Sequence, residues 1–394
     1  MTDKTLVNKS IGIYIHVPFC LSKCSYCDFY SNPLAHSKEY ADSYADAVIK
    51  YLHAASAYLG DRTVDTVYFG GGTPTVLPSR SLVTVLDSVF QYFNVDAEAE
   101  ITTECNPGTA NLDYFKDLRS AGFNRLSMGA QSFNDNELRI LGRIHTSDGF
   151  VRAYSDASLA GFDNISADLM YGIPEQTEQS FAFSVDRLVS LAPAHISSYA
   201  LTLEVGTPLY KRTGELPFPD EDTTANMYSA LVDTLAQNGY NRYEISNFAK
   251  KDRESRHNLR YWQCLDYLGV GPGAHSCIDG IRFSTVTSTE AFLSEKDFPT
   301  SLRNITETPL TDTVEHLTKT DAATEFLMFG LRLARGVSLD ELQTRFDVSI
   351  DTLLDTPLDP YIGQGFMTLT DGVLAFTDKG FFVSNYILSD LLSF

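Results

Sequence analysis

Long apolar runs are missing from this 394-residue chain. No segment approaches the ~18–20 consecutive apolar residues that a membrane-spanning helix needs. The first residues, MTDKTLVNKSIGIY, lack the charged-then-apolar layout of a signal peptide. Basic residues are also few: 30 Lys and Arg stand against 51 Asp and Glu, a formal net charge of −21. From the missing apolar runs and signal peptide we predict a cytoplasmic protein with no membrane span. Because phosphate binding needs a basic surface, we also predict that it has no nucleic-acid partner.

Cysteine is scarce as well, and it is unevenly distributed. Of the six cysteines, three fall within the segment YIHVPFCLSKCSYCDFY, at Cys20, Cys24 and Cys27. The other three are far away in sequence, at Cys105, Cys264 and Cys277. In a reducing compartment, clustered thiols more often bind a metal or take part in chemistry than form disulfides. The three-cysteine segment is therefore the first candidate for a functional site.

The first half of the chain alternates between short β-rich runs and amphipathic helical segments. The β-rich runs are GIYIHVPF, VDTVYFGGG, AEITTECNP, RLSMGAQS, NISADLMYGIP and HISSYALTLE. Six strand–helix units in succession predict a parallel sheet with right-handed crossovers, either open or curled into a barrel. The unusual residues collect where these strands end, and parallel barrels bind ligands at that end. The cysteine segment follows the first strand and should therefore lie at the same end of the sheet or barrel.

The succession of strand and helix patterns changes twice along the chain. It predicts an α/β protein made of three parts. Residues 1–206 are expected to form a partial (β/α) barrel. Residues 207–312 are expected to form an α+β extension, with a hairpin at the Asp-Gly pair 279–280 and a loop-rich linker over 288–312. Residues 313–394 combine helices with a small hairpin, a pattern that resembles a winged helix.

The spacing Cys-x3-Cys-x2-Cys favours an iron–sulfur cluster. A [4Fe–4S] cube held by thiolates normally takes four ligands, so three cysteines leave one iron free to bind a substrate group. The alternative is a structural zinc site of the Cys3His type, with His16 or a distant residue as the fourth ligand. Three reduced thiols without a metal are the simplest alternative. Zinc loops usually pair cysteines as Cys-x2-Cys, which makes the x3–x2 spacing unusual for zinc.

This cysteine spacing, an aromatic residue before the last cysteine and GGGTP after the second strand resemble the radical S-adenosylmethionine (SAM) enzymes. The resemblance implies a [4Fe–4S] cluster on Cys20, Cys24 and Cys27, whose open iron is chelated by the amino and carboxylate groups of SAM. One electron from the cluster would cleave SAM to methionine and a 5′-deoxyadenosyl radical. Positions that match SAM contacts of the family are Tyr14, Tyr26, Gly71, Gly72, Thr73, Glu104, Gln131, Arg143 and Asp168.

The residue types at these positions suit the contacts that the resemblance implies. Gly71 and Gly72 allow close approach of the backbone, as expected where the amino group of SAM binds. A carboxylate at Glu104 can accept hydrogen bonds from two ribose hydroxyls, and the forked donors of Arg143 suit a carboxylate. The structural alternatives are a helix cap at Asp168 and a surface position for Arg143.

Eight ordered motifs narrow the resemblance to the coproporphyrinogen-III-oxidase-like proteins: YIHVPFC…CDFY, ECNPG, NRLSMGAQSF, LGRIH, DLMYGIPEQT, YALTLEVGTPLY, YEISNFA and HNLRYW. The oxygen-independent oxidases of that family extend the motif to Cys-x3-Cys-x2-Cys-x-Cys and carry a longer N-terminal segment. Here Phe29 occupies the added position, and 19 residues precede the cluster, so we predict no coproporphyrinogen oxidase activity. The pattern resembles the HemW branch instead, described as heme chaperones that deliver heme to heme-requiring membrane enzymes.

The segment AKKDRESRHNLRYW, residues 249–262, is locally basic in an acidic chain. We predict that His257 contacts heme as an iron ligand and that Tyr261 and Trp262 pack on the porphyrin. The basic side chains that would face the heme propionates are Lys250, Lys251, Arg253, Arg256 and Arg260. The alternative is an ordinary basic surface loop with His257 hydrogen-bonded and Trp262 in the core. His275 is a second candidate, for heme or SAM.

Three functions from different classes fit these patterns. The first is a heme chaperone with heme-acceptor proteins as partners and, at most, a peripheral membrane contact made through an acceptor. The second is a radical-SAM enzyme acting on a porphyrin, such as oxygen-independent coproporphyrinogen III oxidase. The third is a winged-helix regulator that carries a cluster, which the acidic charge disfavours. The sequence favours the chaperone and leaves open the acceptor, the turnover of SAM and the oligomeric state.

Overall fold

The computed structural model describes residues 10–33 and 38–392. Within these ranges the strands are β1 (Ser10–Val17), β2 (Phe19–Cys20), β3 (Asn32–Pro33), β4 (Thr63–Gly71), β5 (Asn94–Cys105), β6 (Arg125–Gln131), β7 (Ile165–Tyr171), β8 (His195–Ala200), β9 (Asn241–Arg242), β10 (Asn247–Ala249), β11 (Tyr267–Val270), β12 (His275–Ile278), β13 (Ile281–Thr285), β14 (Thr311–His316), β15 (Val337–Ser338), β16 (Met367–Thr370) and β17 (Val373–Phe376). The α-helices are α1 (Lys38–Leu59), α2 (Ser79–Tyr92), α3 (Leu112–Ala121), α4 (Asp135–Ile140), α5 (Ser147–Leu159), α6 (Glu178–Ser190), α7 (Glu221–Gln237), α8 (Arg256–Trp262), α9 (Thr289–Ser294), α10 (Lys319–Gly330), α11 (Leu339–Phe346), α12 (Asp359–Gly363), α13 (Asp378–Phe382) and α14 (Ser384–Leu391).

A twelve-stranded mixed sheet forms the main body, in the order β14-β13-β12-β11-β1-β4-β5-β6-β7-β8-β10-β9. In its centre, from β1 to β8, each strand pairs in parallel with the next. These six strands are the six β-rich runs of the sequence, which confirms the α/β class. The sheet does not close on itself, because β1 also pairs with β11 and β8 also pairs with β10.

The two faces of the central strands differ in polarity because their side chains alternate. On one face, residues such as Ile13 and Met128 are 0% exposed and belong to the large hydrophobic core. The opposite face, called the inner face below, carries polar residues such as Tyr68, Glu104 and Asp168. This alternation leaves a polar surface where the strands end, which is where the predicted site lies.

Helix α8 packs against the inner face of the sheet. Gly12 of β1 makes room for it, since a Cβ there would lie 2.7 Å from Cδ of Arg260. Arg260 is 2% exposed and its Nη1 donates to Oδ2 of Asp65 at 2.6 Å. Ser255 precedes the helix and its hydroxyl accepts from the Asn258 backbone N–H. The HNLRYW segment is therefore a core helix.

The extension after β8 completes both edges of the large sheet. The predicted Asp-Gly hairpin is confirmed: β12 and β13 are joined by Asp279 and Gly280, both with positive φ angles of 52° and 75°. The expected loop-rich linker over 288–312 is partly wrong, because it contains α9 and the start of β14, which pairs with β13. The exposed, polar pattern of β14 hides it in the sequence, since edge strands bury little surface.

The C-terminal part has its own core. Helices α10 to α14 surround a three-stranded sheet in the order β15-β17-β16, and the core includes Leu327, Leu374 and Leu388. Helices with a small hairpin sheet agree with the winged-helix-like pattern, while the domain boundaries at 206 and 312 stay a prediction. No helix in the described ranges is long and apolar enough to cross a bilayer.

Candidate cofactor site

The loop that follows β1 carries the three cysteines and is tied to other strand ends. The Thr73 N–H donates to the Phe19 carbonyl at 2.7 Å, beyond the end of β4. The Ser25 N–H donates to the Leu141 carbonyl at 2.9 Å, and the Leu209 N–H donates to the Ser25 carbonyl at 2.7 Å. These bonds come from segments that follow β4, β6 and β8, so the loop lies across the carboxyl ends of the parallel strands, as predicted.

The three thiols of this loop are free and partly exposed. Cys20 Sγ lies 3.6 Å from Thr73 Oγ1, and Arg143 Nη1 lies 3.4 Å from Cys24 Sγ. Burial raises the pKa of Cys27, and the neighbouring Cys24 and Cys20 raise it further, so the sulfurs are electrostatic neighbours. In the described part of the chain, no three His, Cys, Asp or Glu side chains are arranged to hold a single metal ion.

Two glycines, the last residue of β4 and the one after it, allow the ends of β4 and β1 to approach closely. Gly71 has a φ of +107°, and a Cβ there would lie 2.5 Å from the ring of His16. At Gly72 a Cβ would lie 2.5 Å from the carbonyl oxygen of Phe19, and the Gly72 N–H donates to the Val17 carbonyl at 2.8 Å. Side chains at these two positions would push the GGGTP segment away from the cysteine loop.

Glu104 and Asp168 lie on the inner face of β5 and β7. Tyr68 Oη donates to Glu104 Oε1 at 3.0 Å, and the Gly71 N–H donates to Oε2 at 3.2 Å. Burial raises the pKa of Glu104 to about 7 and that of Asp168 to about 6. Both side chains keep some accessible surface; the region that they border on the inner face is called the recess below.

Arg143 connects this recess to the cysteine loop. Its Nη2 donates to the Gly129 carbonyl at 2.9 Å and also to Asn106 Oδ1, which excludes a free surface position. Its Nε is buried and has no hydrogen-bond partner. Gln131 has a φ of +63° where the pairing of β6 with β7 shifts register. This turn brings its amide over Gly129, since a Cβ on that glycine would lie 2.5 Å from Gln131 Nε2.

Tyr26, one of the predicted SAM contacts, borders the recess near Arg143. Tyr26 packs against the cluster formed by Leu141, Met170 and Ile173. Burial raises its pKa, which Arg143 lowers and the neighbouring Cys24, Cys27 and Asp168 raise. Tyr26 is therefore close to both the loop cysteines and the recess.

Tyr14 and His16 stand side by side on the inner face of β1. Tyr14 Oη lies 3.1 Å from Nδ1 of His16, and Nε2 of His16 lies 3.0 Å from the Tyr30 carbonyl. Both ring nitrogens of His16 thus have protein partners. The alternative of a zinc site with His16 as the fourth ligand is therefore not supported.

The structure corrects the prediction that His257 is an accessible heme ligand. His257 is 1% exposed. Its Nδ1 lies 2.8 Å from Thr66 Oγ1, and its Nε2 lies 2.9 Å from Tyr261 Oη. Burial lowers its pKa to about 3. In this conformation the ring has no nitrogen to offer to an iron, and heme could reach it only if α8 left the inner face.

The basic side chains around His257 do not form one positive surface either. Arg260 is buried against Asp65, and Arg253 Nη2 lies 3.1 Å from Asp163 Oδ2. Trp262 is partly buried, with its ring 6.2 Å from that of Phe329. Arg256 stays exposed at the start of α8. Two of the five basic side chains of the segment, Arg253 and Arg260, are thus paired with carboxylates.

His275, the second histidine candidate, has a different setting. It begins β12 with an exposed side chain, and its charge lowers the pKa of His16, which burial has already lowered. His16 in turn contacts Tyr30 in the cysteine loop. His275 is therefore an accessible imidazole near the cysteine loop.

Three residues of the site region were not singled out from the sequence. Tyr68 donates to Glu104, Asn106 accepts from Arg143, and Arg125 lowers the pKa of Glu104. Strand alternation could have identified Tyr68, because it precedes Gly70 by two residues and shares its face. No sequence signal separates Arg125 from an ordinary strand residue.

The described residues fit the cofactors that the radical-SAM resemblance implies. Three thiolates from one loop are the donor type that iron–sulfur clusters use. The buried Nε of Arg143 lacks a partner, and buried polar atoms rarely stay unpaired, so an anionic ligand group would complete it. The accessible carboxylate of Glu104 offers acceptors to hydroxyl groups.

Comparison with known proteins places the chain in a family. Its sequence matches the Radical SAM superfamily over residues 14–188 and the HemN C-terminal domain over residues 317–383. The heme chaperone HemW of Lactococcus lactis subsp. lactis is 33% identical over 389 residues, which cover 98% of each chain. The chain belongs to the HemW family. HemW of Escherichia coli is 34% identical, over 97% of this chain and 98% of that protein.

A solved structure supports the same fold. Coproporphyrinogen III oxidase (HemN) from Escherichia coli, described as a radical SAM enzyme, superposes with a TM-score of 0.82 and covers 97% of this chain and 89% of that chain. Its sequence identity of 24% shows the shared fold alone. Membership of the HemW family confirms the resemblance seen in the sequence, and the radical SAM domain implies a [4Fe–4S] cluster and SAM.

Proposed function

We propose that this protein is a heme chaperone of the cytoplasm, which binds heme and a [4Fe–4S] cluster with SAM and delivers heme to acceptor proteins. The observation that carries the proposal is the full-length similarity to proteins named heme chaperone HemW. Phe29 supports it further, because it stands where the oxidases are expected to have an additional cysteine. Its side chain is 66% exposed and offers apolar surface to a porphyrin beside the cysteine loop.

The chain's own residues would hold the cofactors as follows. Cys20, Cys24 and Cys27 would ligate the cluster, which when bound supplies an electron to SAM. Arg143 would use its unpaired Nε toward the SAM carboxylate, and Glu104 would accept from the ribose hydroxyls. Gly71, Gly72 and Thr73 would border the amino group, with Tyr14, Tyr26, Gln131 and Asp168 around them.

For heme, His275 is the histidine that the geometry favours, because its imidazole is exposed near the cysteine loop. His275→Ala should therefore alter the absorption spectrum of bound heme. His257→Gln serves as the comparison, since His257 is buried. A spectrum that changes with His257→Gln and not with His275→Ala would assign heme to α8 and require that helix to move.

The experiment that tests the proposal is anaerobic reconstitution followed by heme titration. The reconstituted chain should hold about four irons and four sulfides, bind heme and pass it to an apo-hemoprotein. Failure to bind heme in both the cluster-free and the reconstituted protein would contradict the proposal.

A radical enzyme acting on a porphyrin is the second candidate, and a specific observation keeps it open. The recess formed by Glu104, Asp168 and Arg143 has the residue types that the family uses to bind SAM. A chaperone that never cleaves SAM has no evident need for this complete set. Formation of 5′-deoxyadenosine under reducing conditions would favour the enzyme over a purely binding role.

A further inference from the structure

Arg125, the first residue of β6, has a buried side chain without an ion-pair partner. It is 2% exposed, its buried Nε has no hydrogen-bond partner, and no carboxylate in the described ranges forms an ion pair with its guanidinium. Burying a guanidinium without a counter-ion is destabilising. Arg260 on the same inner face shows the usual solution, an ion pair with Asp65. The unpaired charge of Arg125 therefore needs another explanation.

The strand register places Arg125 next to the carboxylates of the recess. Arg125 pairs with Thr102 on β5, and Ser127, two residues further, pairs with Glu104. Because side chains alternate along a strand, Arg125 shares the inner face with Glu104, one layer lower. Arg125 lowers the pKa of both Glu104 and Asp168, against the larger effect of burial, which raises them.

We propose that Arg125 is a positioning residue whose positive charge, which is not tied up in an ion pair, favours the ionised carboxylates of Glu104 and Asp168 and so makes Glu104 a better hydrogen-bond acceptor for SAM. This inference rests on the SAM site of the proposed function. Arg125 is 2% exposed and lies one layer below the carboxylates, so we assign its effect to its charge rather than to direct contact with the ligand. An ion pair with either carboxylate would occupy oxygens that the ligand needs.

Arg125 is one of two positive charges near this carboxylate pair. The other titratable groups that interact with Glu104 or Asp168 are Tyr14, Tyr26, Tyr68, Arg143, Tyr199 and Tyr261. Burial raises the pKa of each of these tyrosines, so they are neutral. Burial lowers the pKa values of His195 and His257, which face Arg125, so both rings are neutral as well. Arg143 already donates to Gly129 and Asn106.

The test compares Arg125→Gln with Arg125→Lys, which keeps the charge. SAM dissociation constants are measured on anaerobically reconstituted protein between pH 6 and pH 9. Wild-type affinity should fall as the pH decreases through about 7, the pKa of Glu104. In Arg125→Gln this fall should move upward by about half a pH unit, which halves the ionised fraction of Glu104 at pH 7, so binding should be about twofold weaker at pH 7 and should recover by pH 9.

Arg125→Lys should keep the wild-type pH profile. An Arg125→Gln profile that matches wild type, or a loss of equal size at every pH, would overturn the inference, because a purely structural effect does not depend on carboxylate ionisation.

A second measurement needs neither cluster nor SAM. A carboxyl group whose pKa is raised in the folded state contributes stability that is lost as the pH rises through that pKa. Removing Arg125 raises the pKa of Glu104 and Asp168 further, so thermal stability of Arg125→Gln should keep falling above pH 7, where wild type has levelled. Glu104→Gln with Asp168→Asn should abolish the difference. If wild type does not bind SAM, the proposed function fails, and this comparison still decides the role of Arg125.

Discussion

Cys24 is the loop cysteine that Arg143 contacts, with Nη1 3.4 Å from its Sγ. Cys24→Ala should remove most of the iron and sulfide from reconstituted protein, because one of three ligands is lost. Cys105→Ala is the matched control, since Cys105 is 4% exposed and lies in β5, outside the loop. Metal analysis checks both variants. Equal iron in Cys24→Ala and wild type, or one zinc per chain without sulfide, would contradict the cluster assignment.

Glu104 should contribute to SAM affinity through its accessible carboxylate. Glu104→Ala should weaken SAM binding by about 1–3 kcal/mol, since hydroxyl groups of the ligand lose their acceptor inside the recess. Equilibrium dialysis on reconstituted protein measures the change. Glu98→Ala, an exposed position at the other end of β5, should bind SAM as wild type does. Unchanged affinity in Glu104→Ala would remove this residue from the SAM site.

Residue identities near the strand ends were predictable where a motif fixed them. The three cysteines, Gly71 and Arg143 lie near the ends of the parallel strands, as their place after β-rich runs predicts, while their roles toward a cluster and SAM stay predictions. His257 was predicted as accessible because a basic sequence segment gives no information about burial. Its ring is enclosed by β1, β4 and α8 through contacts that join residues about 190 positions apart, such as His257 with Thr66. Such long-range packing is not encoded in local pattern.

One of the contacts that hold helix α8 on the inner face is the buried ion pair between Arg260 and Asp65. Asp65→Asn should lower the free energy of unfolding by about 3–5 kcal/mol, because Arg260 would remain as a buried charge without its counter-ion. Asp163→Asn removes the partner of the more exposed Arg253 and should change stability by less than about 1 kcal/mol. Denaturant unfolding compares the two. Similar effects in both variants would mean that α8 is not anchored as described.

The closely packed ends of β1 and β4 should tolerate no side chain at Gly72. Gly72→Ala should destabilise the protein by about 1–3 kcal/mol, because the new Cβ overlaps the Phe19 carbonyl and forces the cysteine loop to shift. Iron content after reconstitution should fall with it. Gly214→Ala is the control, since no atom lies within 4 Å of its Cβ position. Full iron loading in Gly72→Ala would show that the loop does not depend on this contact.

At the scale of elements, the six parallel strands and the Asp-Gly hairpin of β12 and β13 were predictable from the sequence, and the edge strand β14 was not. The central strands carry β-branched and aromatic residues in buried runs, which is a strong signal. The sequence does not predict strand β14, because most of its side chains are exposed and because its pairing with β13 depends on tertiary contact. The C-terminal hairpin was found because Asp371 and Gly372 give the left-handed turn that two-residue hairpins need.

The whole molecule combines an open parallel sheet, a polar inner face and a second core at the C-terminus. The fold alone does not separate a chaperone from an oxidase, since the oxidase HemN from Escherichia coli has the same architecture at a TM-score of 0.82. Phe29 in the cysteine loop and the similarity to HemW proteins over the full length favour the chaperone. Turnover of coproporphyrinogen and binding of heme therefore have to be measured on the same protein sample.

The most direct measurement places one anaerobically reconstituted sample in two parallel assays. One portion is titrated with heme, and the other is incubated with coproporphyrinogen III, SAM and a reductant. We expect saturable heme binding and no formation of protoporphyrinogen IX. Turnover of coproporphyrinogen together with no saturable heme binding would contradict it and assign the chain to the porphyrin enzymes.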